Sequence, residues 1–252
     1  MREQYKMISK IVGLELLLVF FFTLNGAFVT IVQPSSPSLH YIALLPMAIG
    51  IYVYLFKTGQ WNTYFSPRKL TPLKETSLLS SPLLIILVLI LFAHKGIDTT
   101  SILDLILLLF TQLFIVAFIE EIFFRGFMLR VVASKGFKTA VIVSSLLFAI
   151  THSLQLLGGH SLEDTLLQIL YAFFVGIVLS LLIVNRQSIM IAIAFHGLNN
   201  FFILEKNTEG PAFINYVLII ILLLYAIYLW IRASKLTNVD VSNQGHSIHI
   251  VN

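Results

Sequence analysis

Long apolar runs alternate with short polar breaks along the chain, and these runs predict membrane-spanning helices. A helix needs roughly 20 mostly apolar residues to cross the hydrocarbon core of a bilayer. The runs are continuously apolar and do not alternate residue by residue, so they do not indicate strands of a β-barrel. The breaks divide them into predicted helices over 8–32, 39–56, 78–93, 102–124, 139–154, 165–184, 188–204 and 212–232. We therefore predict an all-α polytopic bundle of about eight transmembrane helices.

Composition supports a membrane protein and removes several other classes. Of the 252 residues, 58% are hydrophobic and only 11% are charged, so the lipid bilayer is the expected surrounding. The chain has no cysteine, which excludes disulfides, thiolate metal sites and cysteine nucleophiles. The net charge of +4 comes from residues near the ends of apolar runs and not from a basic patch, so we expect no nucleic-acid partner.

The distribution of lysine and arginine predicts the orientation. Cytoplasmic loops of membrane proteins collect these residues. With eight spans and a cytoplasmic N-terminus, the outer loops receive only Lys95 and Lys206. The inner side receives Arg2, Lys6, Lys10, Lys57, Arg68, Lys69, Lys74, Arg130, Lys135, Lys138, Arg186, Arg232 and Lys235. We therefore predict one transmembrane domain over 1–232 and a polar, loosely ordered cytoplasmic tail over 233–252, with both termini cytoplasmic.

Charged residues interrupt the fourth predicted helix. An ionisable side chain inside a membrane helix costs free energy, so its presence there indicates a functional site. Glu121 and Arg125 are four residues apart, so they share a helix face and can form an ion pair. Glu120 points about 100° away and is free for another partner, as a general acid or base requires. A purely structural ion pair of Arg125 with Glu121 is the alternative interpretation of those two residues.

His152 is the partner that we predict for Glu120. Both residues lie 16 positions from Gly136, so an antiparallel hairpin that turns near Gly136 brings them level. This prediction requires the fourth helix to continue beyond Arg125, past the end of its apolar run at 124. We favour that longer helix.

A third polar group lies on the seventh predicted helix. His196 and Asn200 are four residues apart and can face one pocket near the middle of the membrane. The alternative is that they form interhelical hydrogen bonds which hold the bundle together. The catalytic motifs would then lie within 118–200, on three helices that meet at similar depth.

These three groups resemble the motifs of one family of intramembrane proteases. The chain carries E-E-x-x-x-R at Glu120 to Arg125, F-x-x-x-H at Phe148 to His152, and H-x-x-x-N at His196 to Asn200. This order is similar to that of the CAAX-prenyl endopeptidase and bacteriocin-processing (CPBP, Abi-type) family. The resemblance covers the fourth to the seventh predicted helix, and the first three helices carry no matching motif.

The resemblance implies hydrolysis of a peptide bond within the membrane. It implies that Glu120 and His152 activate a water molecule and that His196 and Asn200 bind the oxyanion, with Glu121 and Arg125 tuning the field. If a metal is used, Glu120, His152 and His196 are its candidate ligands. Zinc is the metal to consider, but the sequence lacks the zinc-binding motif H-E-x-x-H and does not decide whether a metal is used.

The substrate and the cellular role are less defined. A peptide or membrane protein is the expected substrate, in peptide (bacteriocin or pheromone) maturation or in immunity. Short loops without targeting motifs favour a bacterial plasma membrane. Two alternatives from other classes are a proton-coupled transporter, since glutamate and histidine also form proton relays, and a non-catalytic membrane scaffold. Against a transporter, the chain shows no internal repeat or matching broken helices.

Overall fold

The computed structural model describes residues 2–65, 71–98, 101–159, 161–211 and 213–243, and these ranges are almost entirely helical. In chain order the helices are α1 (Arg2–Val32), α2 (Pro37–Lys57), α3 (Trp61–Phe65), α4 (Leu73–Ala93), α5 (Ile102–Lys135), α6 (Phe137–Thr151), α7 (Leu162–Val184), α8 (Ile189–Leu204) and α9 (Phe213–Asn243). The first part of α2, Pro37–Leu44, is a 3-10 segment.

The predicted polytopic bundle is confirmed. In the described residues, seven helices are long and apolar enough to cross a membrane. The seventh predicted segment, 188–204, is the shorter apolar helix α8, with 16 residues. The chain is therefore a multi-pass membrane protein, and the longer fourth helix that we favoured is present as α5.

Helix α5 changes its hydrogen-bonding pattern on both sides of the two glutamates. π-Helical segments cover Gln112–Val116 and Ile122–Met128, and only Ala117–Glu121 between them is α-helical. Such segments often occur at functional sites, because each shifts the register of the side chains by one residue. The second segment receives support from α6, where the Ser144 hydroxyl donates to the Phe124 carbonyl at 2.7 Å.

Close packing brings α6 and α7 together beside α5. A Cβ placed on Gly176 of α7 would lie 3.0 Å from the Ser145 Cα atom of α6. The small residue therefore lets the two backbones approach, as at other helix interfaces in membranes. At the end of α7, the Asn185 side chain donates to the Leu229 carbonyl of α9 at 3.1 Å.

Helix α9 also contacts α4 and extends further than predicted. The Tyr225 hydroxyl donates to the Leu79 carbonyl, and Arg232 pairs with Glu75. We predicted a loosely ordered tail from Ala233, but α9 continues to Asn243 and Ala233 is buried. That part of the prediction was wrong: the helix continues through Ala233, which packs in the core of the bundle, into a stretch of polar sequence. The remaining tail, 244–252, lies outside the described residues.

Candidate functional site

The centre of the site is a buried carboxylate that receives two charged or polar donors. The Glu121 Oε1 atom lies 3.0 Å from Arg125 Nη1 and 2.7 Å from His196 Nδ1. All three side chains are buried, and the side chains of Glu121 and Arg125 are fully inaccessible. The pairing of Glu121 with Arg125 one turn apart, as the spacing predicts, is thus observed. The contact of Glu121 with His196 links α5 to α8.

Glu120 faces the other nitrogen of the same imidazole. Its Oε2 atom lies 3.4 Å from His196 Nε2, in an arrangement too poorly aligned for a hydrogen bond. We predicted His152 as the partner of Glu120, but no hydrogen bond or ion pair joins these two described residues. The prediction that α6 packs beside α5 is correct. It did not include α8, which places His196 against both carboxylates.

The charges of this cluster constrain its protons. Glu121 accepts hydrogen bonds from Arg125, so it is the natural acceptor for the Nδ1–H group of His196. When Nδ1 donates to Glu121, Nε2 of the neutral imidazole is an acceptor that faces Glu120.

The aromatic ring of Phe148 connects the remaining site residues. The Arg125 guanidinium lies 4.2 Å from the centre of this ring, in a cation–π arrangement. The rings of His152 and His196 approach it edge-on, at 5.0 and 5.6 Å between centroids. The His152 Nδ1 atom lies 2.9 Å from the Phe148 carbonyl oxygen. When Nδ1 donates this bond, Nε2 of the neutral His152 ring is left as an acceptor.

Asn200 lies one turn beyond His196 and contacts the first π-helical segment of α5. Its side-chain amide donates to Gln112 Oε1 at 3.3 Å. Gln112 is fully buried, and its Nε2 group makes no hydrogen bond within the described residues, although the Tyr41 side chain of α2 lies beside Gln112. An amide group of this kind is available to a ligand.

Gly197 permits this approach of α8 to α5. A Cβ at this position would lie 2.7 Å from the Leu113 side chain and 3.0 Å from the Leu113 Cα atom. Only glycine therefore fits without displacing the helix that carries His196 and Asn200.

Several polar residues in the membrane-spanning helices were missed by the sequence analysis. Gln112 is one, although a glutamine inside an apolar run was a detectable signal. Asn199 is another; it is buried and accepts a hydrogen bond from the Tyr171 hydroxyl at 2.6 Å. Glu15 of α1 is a third, with a buried Oε2 atom that lacks a hydrogen-bond partner. No hydrogen bond or ion pair joins Glu15 to the cluster among the described residues.

A metal centre is not evident from the arrangement of the predicted ligands. In the described part of the chain, no group of three or more His, Asp or Glu side chains is placed to hold a metal ion. Glu120 and His196 face each other, and Nδ1 of His196 is bonded to Glu121. These residues therefore do not fit a metal-ligand set, and no step below is routed through a metal.

These observations define a multi-pass membrane protein with a buried glutamate–histidine–arginine site. Residues 102–202 match the family described as type II CAAX prenyl endopeptidase Rce1-like. All three motifs fall within the matched segment, so the resemblance to the CPBP family is confirmed. The match indicates a CAAX-type intramembrane protease. No curated protein matches the chain at a significant level.

Proposed function

We propose that this protein is an intramembrane endopeptidase in which Glu120 activates a water molecule to hydrolyse a peptide bond. The observation that carries the proposal is the contact of Glu120 with His196, in a buried cluster inside the segment that matches the family. A general base must lie within hydrogen-bonding reach of a water molecule that is next to the substrate.

Glu120 removes a proton from water while the oxygen of that water attacks the carbonyl carbon of the substrate. His196 Nε2 lies beside Glu120 Oε2 and shares the proton that is taken up. His152 offers its Nε2 lone pair as a second acceptor that orients the water, since Nδ1 faces the Phe148 carbonyl. The tetrahedral intermediate then expels the amine, which receives the stored proton. The products are a carboxylic acid and a free amine, and the acid then loses its proton to give a carboxylate and an ammonium group.

Asn200 and Gln112 supply the donors for the oxyanion. His196 was expected to share this role with Asn200, but both of its ring nitrogens face glutamates. Gln112 Nε2 is buried and makes no hydrogen bond within the described residues, so it replaces His196 in the proposal. Donors fixed in advance at the position of the developing charge contribute strongly to catalysis, about 10²–10³-fold for one donor.

Glu121 and Arg125 act as positioning residues. Together they hold His196 by its Nδ1 atom and keep Nε2 directed at Glu120. The Phe148 ring supports the same arrangement through its cation–π contact with the Arg125 guanidinium.

The proposed substrate is a peptide or a membrane-associated protein. The proposed location is the plasma membrane of a bacterium, where both termini of the chain face the cytoplasm. Maturation of a bacteriocin or pheromone and immunity against bacteriocins are the processes that fit such an enzyme. Prenylated C-terminal peptides are the further substrate class that the family description names.

Cleavage by the purified protein in liposomes tests the proposal. A prenylated C-terminal peptide, a leader peptide and a single-span reporter protein are each incubated with wild type and Glu120→Gln, and the products are identified by mass. Cleavage of at least one substrate by wild type alone supports the proposal. Equal cleavage by both proteins would show that Glu120 is not the base. If folded wild type cleaved none of the three substrates, the result would argue against an endopeptidase.

A chelator arm of the same experiment tests the role of a metal. We expect an unchanged rate after treatment with a zinc chelator, because no step of the proposed mechanism uses a metal. Loss of activity with the chelator and recovery on addition of zinc would contradict that prediction.

A further inference from the structure

A groove of about 740 Å³ lies between α1, α2 and the second half of α5, apart from the candidate site. Its walls are mostly apolar and aromatic, with Leu14, Leu17 and Phe21 from α1 and Phe123 and Phe127 from α5. This volume lies within the range of pockets that hold small organic ligands. Glu120, His152 and His196 do not line it, so an occupant would not contact the residues proposed for catalysis.

Glycines keep the groove open on two sides. Gly13 of α1 and Gly50 of α2 both line it, and a Cβ at either position would meet no atom within 4 Å. The space beside them is therefore empty of protein side chains. A hydrocarbon chain can lie along such a surface within a bilayer.

Two cations lie on the groove, and no carboxylate lines it among the described residues. Lys10 is exposed and has no ion-pair partner in the described part of the chain. The Arg130 guanidinium lies 4.0 Å from the centre of the Tyr64 ring. Its Nη2 group donates to the Thr63 carbonyl at 3.4 Å, but its Nε group has no hydrogen-bond partner. The Nε group is buried, so the donors that can reach an anion are the ammonium of Lys10 and the Nη groups of Arg130, which is only half-buried.

Both cations lie toward the same surface of the membrane. Lys10 is eight residues from the start of α1, about 12 Å along the helix axis, and Arg130 is five residues from the end of α5, about 7.5 Å along the axis. Helices α1 and α5 run in opposite directions if successive spans alternate, so these two ends face the same side. The predicted orientation makes this the cytoplasmic side.

We infer that this groove binds an anionic glycerophospholipid of the inner leaflet. The phosphate lies between Lys10 and Arg130, and an acyl chain lies along Gly13 and Gly50 toward Phe21. Basic pockets between helices at the cytoplasmic side recognise anionic head groups in this way, and ammonium and guanidinium groups are the usual partners of phosphate. This inference is independent of the proposed peptidase activity.

Native mass spectrometry of the purified protein tests the inference, with phosphatidylglycerol and phosphatidylcholine as probes. We expect wild type to retain phosphatidylglycerol in preference to phosphatidylcholine. Lys10→Ala should weaken phosphatidylglycerol binding about fivefold, the effect of one basic residue near a lipid surface. The matched control is Lys138→Ala, an exposed lysine at the same end of the bundle that does not line the groove, and it should leave binding unchanged.

A second pair of variants tests the apolar part of the groove. Gly13→Phe should block the groove and abolish the preference, whereas Gly26→Phe, on the same helix but outside the groove, should not. Equal retention of both lipids by wild type would overturn the inference. The same holds for a preference that survives Gly13→Phe, or one that Lys138→Ala reduces as much as Lys10→Ala does.

Discussion

The His196 Nδ1 atom lies 2.7 Å from Glu121 Oε1, the same carboxylate oxygen that Arg125 contacts. This bond fixes the imidazole so that its other nitrogen faces Glu120. Two adjacent glutamates thereby receive different surroundings, because Glu121 accepts hydrogen bonds from two donors whereas the described residues form no hydrogen bond to Glu120. The difference separates a positioning role for Glu121 from a chemical role for Glu120.

This division predicts different effects of the two neutralising substitutions on stability. Glu121→Gln leaves the buried Arg125 without a charged partner, which should cost about 3 kcal/mol or more in free energy of unfolding. Glu120→Gln removes no hydrogen bond and should change stability far less. Thermal unfolding of both variants in the same detergent measures the difference. Equal losses of Tm would show that Glu120 is as structural as its neighbour.

Two adjacent serines of α6 predict a second contrast. Ser144→Ala removes the hydrogen bond to the Phe124 carbonyl in the π-helical segment, which should cost about 1–3 kcal/mol because a buried acceptor is left unsatisfied. Ser145 is equally buried, but its hydroxyl has no hydrogen-bond partner in the described part of the chain. Ser145→Ala should therefore be neutral or stabilising. Chemical or thermal unfolding compares the two, and a larger loss for Ser145→Ala would contradict this account of the segment.

Gly197 provides a test of how closely α8 must approach α5. Gly197→Ala places a methyl group against Leu113, and overpacking of this kind should cost about 1–3 kcal/mol. Activity should fall as well, because the displaced helix carries His196 and Asn200. Gly26→Ala is the control, since its methyl group would meet nothing within 4 Å. If Gly197→Ala were as active and stable as Gly26→Ala, close approach of the helices would not be required.

Phe148 is predicted to act by positioning other groups. Phe148→Leu removes the cation–π contact with Arg125 and the ring contacts with both histidines, together about 1–3 kcal/mol. We expect kcat to fall while KM changes little, since Phe148 is not proposed to touch the substrate. Phe173→Leu, in an aromatic pair on α7, is the control and should leave kcat unchanged. A rise in KM at constant kcat would instead indicate a substrate contact.

Much of the fold and part of the site could be predicted from the sequence. Apolar length largely determines where a chain can span a bilayer, so most helix ends were found to within several residues, but α5 and α9 continue to Lys135 and Asn243, well beyond the ends of their apolar runs. The pairing of Glu121 with Arg125 follows from local helix geometry. The contact of His196 with both glutamates could not be predicted, because it depends on how α8 packs against α5. The π-helical segments and the glutamine that meets Asn200 depend on the same tertiary contacts.

Comparing the rates of peptide cleavage by Glu120→Gln and Glu15→Gln shows whether Glu120 is the base. Both changes neutralise a glutamate in a membrane-spanning helix whose Oε2 atom is buried and has no hydrogen-bond partner among the described residues, but only Glu120 lies beside His196. We expect Glu120→Gln to lower kcat by at least about 10²-fold, the contribution of a general base, while Glu15→Gln cleaves like wild type. Wild-type cleavage by folded Glu120→Gln would contradict the claim that Glu120 activates the water.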